Sequence, residues 1–206
     1  MKKSKKYILI IFLGFLIFVI AIFFIKNNYK KTNHGNNITN KTLDEVEEYI
    51  LNINSYKATI EVTVNSNKNV NKYKLLQIHS KDEDIQEAIE PENIKGIKFI
   101  YQNNTLKIQN TKLNLEKIYS NYQYLQDNYL WLSAFIEDYK SEGIEKEIND
   151  NNKEVIITIK LNDNTTIKYK RLYIDKKTGK PIKLYMMDNN KNKVIYILYN
   201  EIEINY

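Results

Sequence analysis

From Tyr7 to Ile25 every residue is apolar or aromatic except Gly14, and no charge interrupts the run. A helix rises ~1.5 Å per residue, so a run of this length spans about the hydrocarbon core of a bilayer. Lys2, Lys3, Lys5 and Lys6 precede it. With the terminal amine they outweigh Lys26, Lys30 and Lys31 on the other flank, which keeps the N-terminus cytoplasmic and sends the remainder across. A cleaved export signal would have a shorter apolar region followed by a small-x-small site. Ile20–Ala21–Ile22–Phe23–Phe24–Ile25 offers no such pair. The expectation is a protein of the cell membrane with a single span: residues 1–6 a cytoplasmic tail, 7–25 a transmembrane signal-anchor, 26–41 a flexible tether rich in Asn, Lys and Thr, and 42–206 one extracytoplasmic domain.

The net charge of +6 dissolves once it is located. Seven of the 31 basic residues lie in the first 31 positions, which hold no acid, leaving 24 basic against 25 acidic residues beyond them. The charge is therefore a topology signal, and nucleic acid is not an expected partner. There is no cysteine, so an exported domain of this sequence rests on its core without disulfides, and thiolate metal sites and cysteine chemistry are excluded.

Past the tether, Thr42–Leu43–Asp44–Glu45 has the spacing of a capping box opening a short helix, with Leu43, Val46 and Ile50 on one face and Tyr49 beside them. The period then changes to two. Tyr56, Ala58, Ile60, Val62 and Val64 alternate with Lys57, Thr59, Glu61 and Thr63, which predicts a strand covered on one side. Residues 65–69 turn the chain into a partner strand over Val70–His79, and further strands are expected near Ile85–Ile89, Ile94–Tyr101 and Leu106–Gln109. In the middle, Leu132, Phe135, Ile136 and Tyr139 follow a helical spacing, widened by Leu130 and Trp131, and Gly143 lies beyond the helix end. The last third reads as antiparallel strands over Glu154–Leu161, Thr165–Ile174, Pro181–Met187 and Lys193–Tyr206.

Two segments carry a resemblance. Tyr173–Ile174–Asp175–Lys176–Lys177–Thr178–Gly179–Lys180–Pro181–Ile182–Lys183–Leu184 resembles a recurrent hairpin of the LolA-like lipoprotein-carrier superfamily, in which an Asp closes one strand, a Thr-Gly turn follows and a Pro opens the next. Glu90–Pro91–Glu92–Asn93–Ile94–Lys95–Gly96–Ile97–Lys98–Phe99–Ile100–Tyr101, then Leu106–Lys107–Ile108–Gln109–Asn110 and Asn128 to Tyr139, is similar to the GerS-type branch, the spore-germination lipoproteins. The likeness runs from about Leu43 to the C-terminus. It implies an α+β fold: a curved antiparallel β-sheet, or half-open β-barrel, covered by a few helices. It implies a non-catalytic protein, without cofactor, that binds and activates the cortex amidase CwlD. The branch is lipid-anchored through a cysteine; in this chain the Tyr7–Ile25 helix would stand in for the lipid. The alternative role within the superfamily is a lipid- or lipoprotein-binding module with acyl chains in the barrel cavity.

The residues themselves point away from catalysis. No HExxH, CxxC or G-x-S-x-G pattern occurs. His79 with Asp82, Glu83 and Asp84 has the composition of a metal or acid–base cluster, and the more ordinary expectation is a solvated loop at a strand end. Tyr122, Tyr124, Tyr129 and Trp131 are the candidate partner-binding residues, because aromatics are enriched at interface centres. The plainer role for these rings is to pack the helix onto the sheet. An exposed sheet edge would also allow pairing with a partner or with a second copy of the chain.

Overall fold

The computed structural model describes residues 41–66, 68–122, 130–161 and 166–206. The expected anchor over 7–25 and nearly all of the tether lie outside them, as do Tyr124, Tyr129 and the Asn162–Asn164 turn. Among the described residues no helix is long and apolar enough to cross a membrane.

Helix α1 (Leu43–Leu51) begins where the sequence places it. The Glu45 amide donates to the Thr42 hydroxyl at 3.3 Å, and the Thr42 amide donates to the Glu45 carboxylate at 2.7 Å. Each side chain thereby satisfies a backbone donor that the helix itself leaves open. Strands β1 (Ser55–Asn65), β2 (Val70–His79), β3 (Asp84–Glu90), β4 (Ile97–Gln102), β5 (Thr105–Asn110) and β6 (Leu115–Tyr119) follow as successive hairpins. Helix α2 (Leu132–Lys140) comes next, then β7 (Glu145–Asp150), β8 (Glu154–Lys160), β9 (Tyr169–Asp175), β10 (Pro181–Met187) and β11 (Lys193–Asn205).

All eleven strands form one antiparallel sheet in the order β6-β5-β4-β3-β2-β1-β11-β10-β9-β8-β7. The long strands β1 and β11 pair at its centre, and β6 and β7 are left as two edges that do not meet. The sheet is thus curved and unclosed. Alternation sets its two faces. Tyr56, Ala58, Ile60 and Val62 are each no more than 1% exposed, and Ile197, Tyr199 and Ile202 of β11 join them in the core, with Leu184, Leu172 and Ile157 beyond. Val46 and Ile50 of α1 and Leu132, Phe135, Ile136 and Tyr139 of α2 complete that core from the concave side.

The hairpin from Asp175 to Pro181 shows why those residue types recur. Both the amide and the hydroxyl of Thr178 donate to Asp175 Oδ1, at 2.6 and 2.7 Å, and the Gly179 amide donates to the Asp175 carbonyl. Gly179 adopts φ +76°, and a Cβ there would lie 2.7 Å from Cδ1 of Tyr49, so glycine is required by both backbone and space. Pro181 opens β10, where the sheet register shifts.

Three expectations are corrected. Strands β6 and β7 have no counterpart in the sequence reading. Every residue of β6 is exposed, and in β7 only Ile148 packs against the core, so neither carries the period-two signal of a half-buried strand. Ile94 belongs to the turn between β3 and β4, not to a strand. Gly96, at φ +83°, ends that turn: its amide donates to the Ala88 carbonyl and its carbonyl accepts from the Thr111 amide and hydroxyl. Finally, Asp82 and Glu83 lie in the expected loop at the strand end, but His79 and Asp84 do not. They face each other across β2 and β3, with His79 Nδ1 2.5 Å from Asp84 Oδ1 and their side chains 19% and 14% exposed.

Candidate binding surface

The two helices cover the sheet unequally. Helix α2 is fixed over the β1 and β7–β11 half by polar ties at several points. The Leu132 amide donates to the Tyr56 hydroxyl at 3.1 Å. Lys140 Nζ donates to the Leu51 carbonyl at 2.8 Å, and the Tyr139 hydroxyl donates to the Glu47 carboxylate, which joins α2 to α1. Burial, reinforced by that carboxylate, pushes the Tyr139 phenol well above its ordinary pKa. From beneath, Lys170 donates to Asp138 and Lys146 Nζ sits 3.9 Å from the centre of the Tyr139 ring.

Among the described residues, the concave face over the β2–β6 half is left largely open. A cleft of about 270 Å³ lies there, walled by Val62, Tyr73, Leu75, Ala88, Ile97 and Phe99 and bounded by Leu130. Its base is set by a polar row: Gln77, fully buried, donates to Gln86 Oε1 at 3.0 Å and to the Leu130 carbonyl at 3.2 Å. Beyond Phe99, which is 39% exposed, the same face continues through Ile108 to Leu115, and β6 ends the sheet.

The two edges differ in kind. Strand β7 reads Glu145–Lys146–Glu147–Ile148–Asn149–Asp150, and charges along an edge discourage pairing with another strand. Strand β6 exposes Leu115 at 61%, Ile118 at 52% and Tyr119 at 43%, beside Leu113 at 65% in the preceding turn. Apolar side chains on an unpaired edge are the arrangement that a partner strand completes.

Among the aromatic residues singled out in the sequence, Tyr122 lies at this β4–β6 wing. Its amide donates to the Asn104 carbonyl at 2.7 Å and its ring stands edge-on to Tyr101 at 6.5 Å. Trp131 is elsewhere. It is 3% exposed, at the N-terminus of α2, with its ring 6.4 Å from both Tyr56 and His79, so it serves the interior. Tyr124 and Tyr129 lie outside the described residues. The structure brings forward Phe99 of β4 and Leu115 and Ile118 of β6 instead; the last two could not be selected by periodicity because β6 carries no alternation. No three His, Cys, Asp or Glu side chains among the described residues group closely enough to hold a metal ion.

Comparison with known proteins bears on this geometry. An uncharacterized conserved protein from Thermus thermophilus has a similar structure, with a TM-score of 0.51 at 9% identity over 79% of this chain and 86% of that one. A chain from the complex of the CwlD amidase from Clostridioides difficile with the GerS lipoprotein gives a TM-score of 0.50 at 24% identity, over 81% and 98%. A LolA superfamily protein from Nitrosomonas europaea gives 0.40 at 11% identity, over 80% and 94%. At these identities the likeness to the first two is one of fold alone. No curated protein matches the sequence. The family model described as sporulation protein YdcC-like matches residues 5–206.

Proposed function

The chain belongs to the YdcC-like family of sporulation proteins, and from that premise we propose that it is a membrane-anchored, non-catalytic binding protein of the cell envelope whose β6 wing docks a cortex N-acetylmuramoyl-L-alanine amidase and activates it. The Tyr7–Ile25 segment holds it in the membrane with the domain on the outer side. The observation that carries the reading is the contrast between the sheet edges. The β7 edge is charged at four of its six residues, whereas β6, which also holds Glu116 and Lys117, leaves its backbone edge open among the described residues beside exposed Leu115, Ile118 and Tyr119. A strand or loop of the partner can extend the sheet there and bury those side chains. Fold similarity to a chain of the CwlD–GerS complex supports an amidase as that partner.

The test is capture of the amidase by the full chain in detergent. Ile118→Lys with Leu115→Lys should abolish capture and activation, whereas Glu147→Lys on the opposite edge should leave both intact. Equal capture by the β6 double variant would overturn the docking site, and failure of the unaltered chain to enrich an amidase would overturn the function.

A second reading is favoured by the cleft. Its walls are almost wholly apolar, and at about 270 Å³ it approaches the ~300 Å³ lower bound of ordinary ligand pockets, so a short length of acyl chain would fit. Solvent extraction and mass spectrometry of purified protein test this; absence of copurified lipid removes it.

A further inference from the structure

The convex face opposite the core carries a second constellation. Residues alternating with buried Leu172, Leu184 and Ile197 point outward as Arg171, Tyr173, Lys183, Tyr185, Tyr196 and Leu198. Register brings them together: Arg171 lies opposite Tyr185, Tyr185 opposite Tyr196, and Lys183 between Tyr173 and Leu198. The Tyr185 ring stands edge-on to Tyr173 at 5.3 Å and stacks on Tyr196 at 5.1 Å. Lys183 Nζ sits 4.3 Å from the centre of the Tyr173 ring and Lys193 Nζ 4.2 Å from that of Tyr185.

Arg171 is the one arginine among the 31 basic residues. Its Nε donates to the hydroxyl of buried Thr158 at 2.9 Å, which fixes the guanidinium plane. No carboxylate among the described residues pairs with Arg171, Lys183 or Lys193. The nearest acids in the register, Glu147 and Glu61, flank the cluster and accept hydrogen bonds from Asn149 and Asn200. An anchored guanidinium with its outer nitrogens unclaimed is suited to a carboxylate, which it can grip with two parallel hydrogen bonds.

We propose that this face binds a carboxylate-bearing glycan strand, with Arg171 gripping the carboxylate, Lys183 and Lys193 adding charge, and the tyrosine hydroxyls and Leu198 meeting the polar and C–H faces of the sugars. Charge complementarity selects an anionic ligand. The row of three phenols on an open sheet face suits a hydroxyl-rich extended polymer more than a folded protein. The source of such a strand is peptidoglycan, an assignment that rests on the reading of the domain as an envelope protein working beside an amidase. The two sites are on different faces, so the protein would hold the enzyme on β6 while resting on its polymer.

Cosedimentation of the full chain, in detergent, with purified peptidoglycan sacculi tests this. Arg171→Gln should weaken binding by about tenfold or more, the loss expected for a charge-assisted pair. Arg171→Lys should fall in between, and exposed Lys193→Gln should weaken binding without touching the core. Sacculi with amidated carboxylates should lose the protein. Binding by Arg171→Gln equal to the unaltered chain, indifference to amidation, or equal competition by any polyanion would each overturn the site. Amidase capture by the same variants separates the two ideas: Arg171→Gln should retain it, and loss of sacculus binding with capture intact is the expected pattern.

Discussion

The backbone amide of Leu132 donates to the phenol oxygen of Tyr56 at 3.1 Å, across 76 residues of chain and within the buried core. A helix leaves its first amides without internal partners, and Trp131 at the N-cap supplies no side-chain acceptor. The start of β1 therefore caps α2, and the bond fixes how far the helix reaches over the sheet and where the open cleft begins.

Tyr56→Phe retains the ring and removes the acceptor. Leaving a buried amide unmatched costs about 1–3 kcal/mol, so the denaturation midpoint should fall by that equivalent. Phe135→Tyr, which adds a hydroxyl without touching the cap, is not a substitute control; Leu132→Met is. An unchanged midpoint in Tyr56→Phe would show that the amide finds another acceptor.

Gly179→Ala forces a side chain into φ +76° and brings its Cβ within 2.7 Å of Tyr49 Cδ1. The backbone part alone is on the order of 1–3 kcal/mol. Combining it with Tyr49→Ala should recover the steric part and leave the backbone part, giving a non-additive double-mutant cycle in urea denaturation. Strict additivity would mean that the hairpin does not press on α1.

Lys170 is 1% exposed and its partner Asp138 is 30% exposed. Removing the carboxylate takes one charged partner away from a buried ammonium, whereas removing the ammonium leaves a carboxylate that water can reach. Asp138→Asn should therefore destabilise more than Lys170→Met does. Chemical denaturation of both variants checks the order, and the reverse ranking would refute it.

The capping box has an acid limb. Hydrogen bonds from the Thr42 backbone, then from its side chain, hold the Glu45 carboxyl below its usual pKa. A folded-state pKa that is depressed contributes stability in full above the unfolded value and loses it as pH falls through the folded one. The loss belongs to the acid side of the ordinary carboxylate range. Glu45→Gln, which keeps an acceptor but cannot titrate there, should flatten that part of the stability profile between neutral and strongly acid pH. An identical profile would assign the acid limb to other groups.

Much of the fold was legible because its signals are local. The Thr42–Glu45 spacing, the alternation from Tyr56 to Val64, the helical stripe of Leu132, Phe135, Ile136 and Tyr139, and the Asp175–Pro181 turn each sit within a short window. The candidate binding surface was much less legible. Trp131 looks the same to a sequence pattern whether its ring faces a partner or Tyr56, and β6 is written without any alternation.

The sequence by itself determined the strand and helix segments with a buried face and the hairpin chemistry, since period, cap and turn residues act on near neighbours. Only the tertiary structure decided which edge of the sheet exposes apolar side chains, how much of the concave face the described helices leave bare, and that Arg171 lies opposite Tyr185 and Tyr185 opposite Tyr196. Those relations arise from register between strands distant in the chain. Register is set by the summed packing of the whole sheet against its helices, a quantity no single window of residues contains.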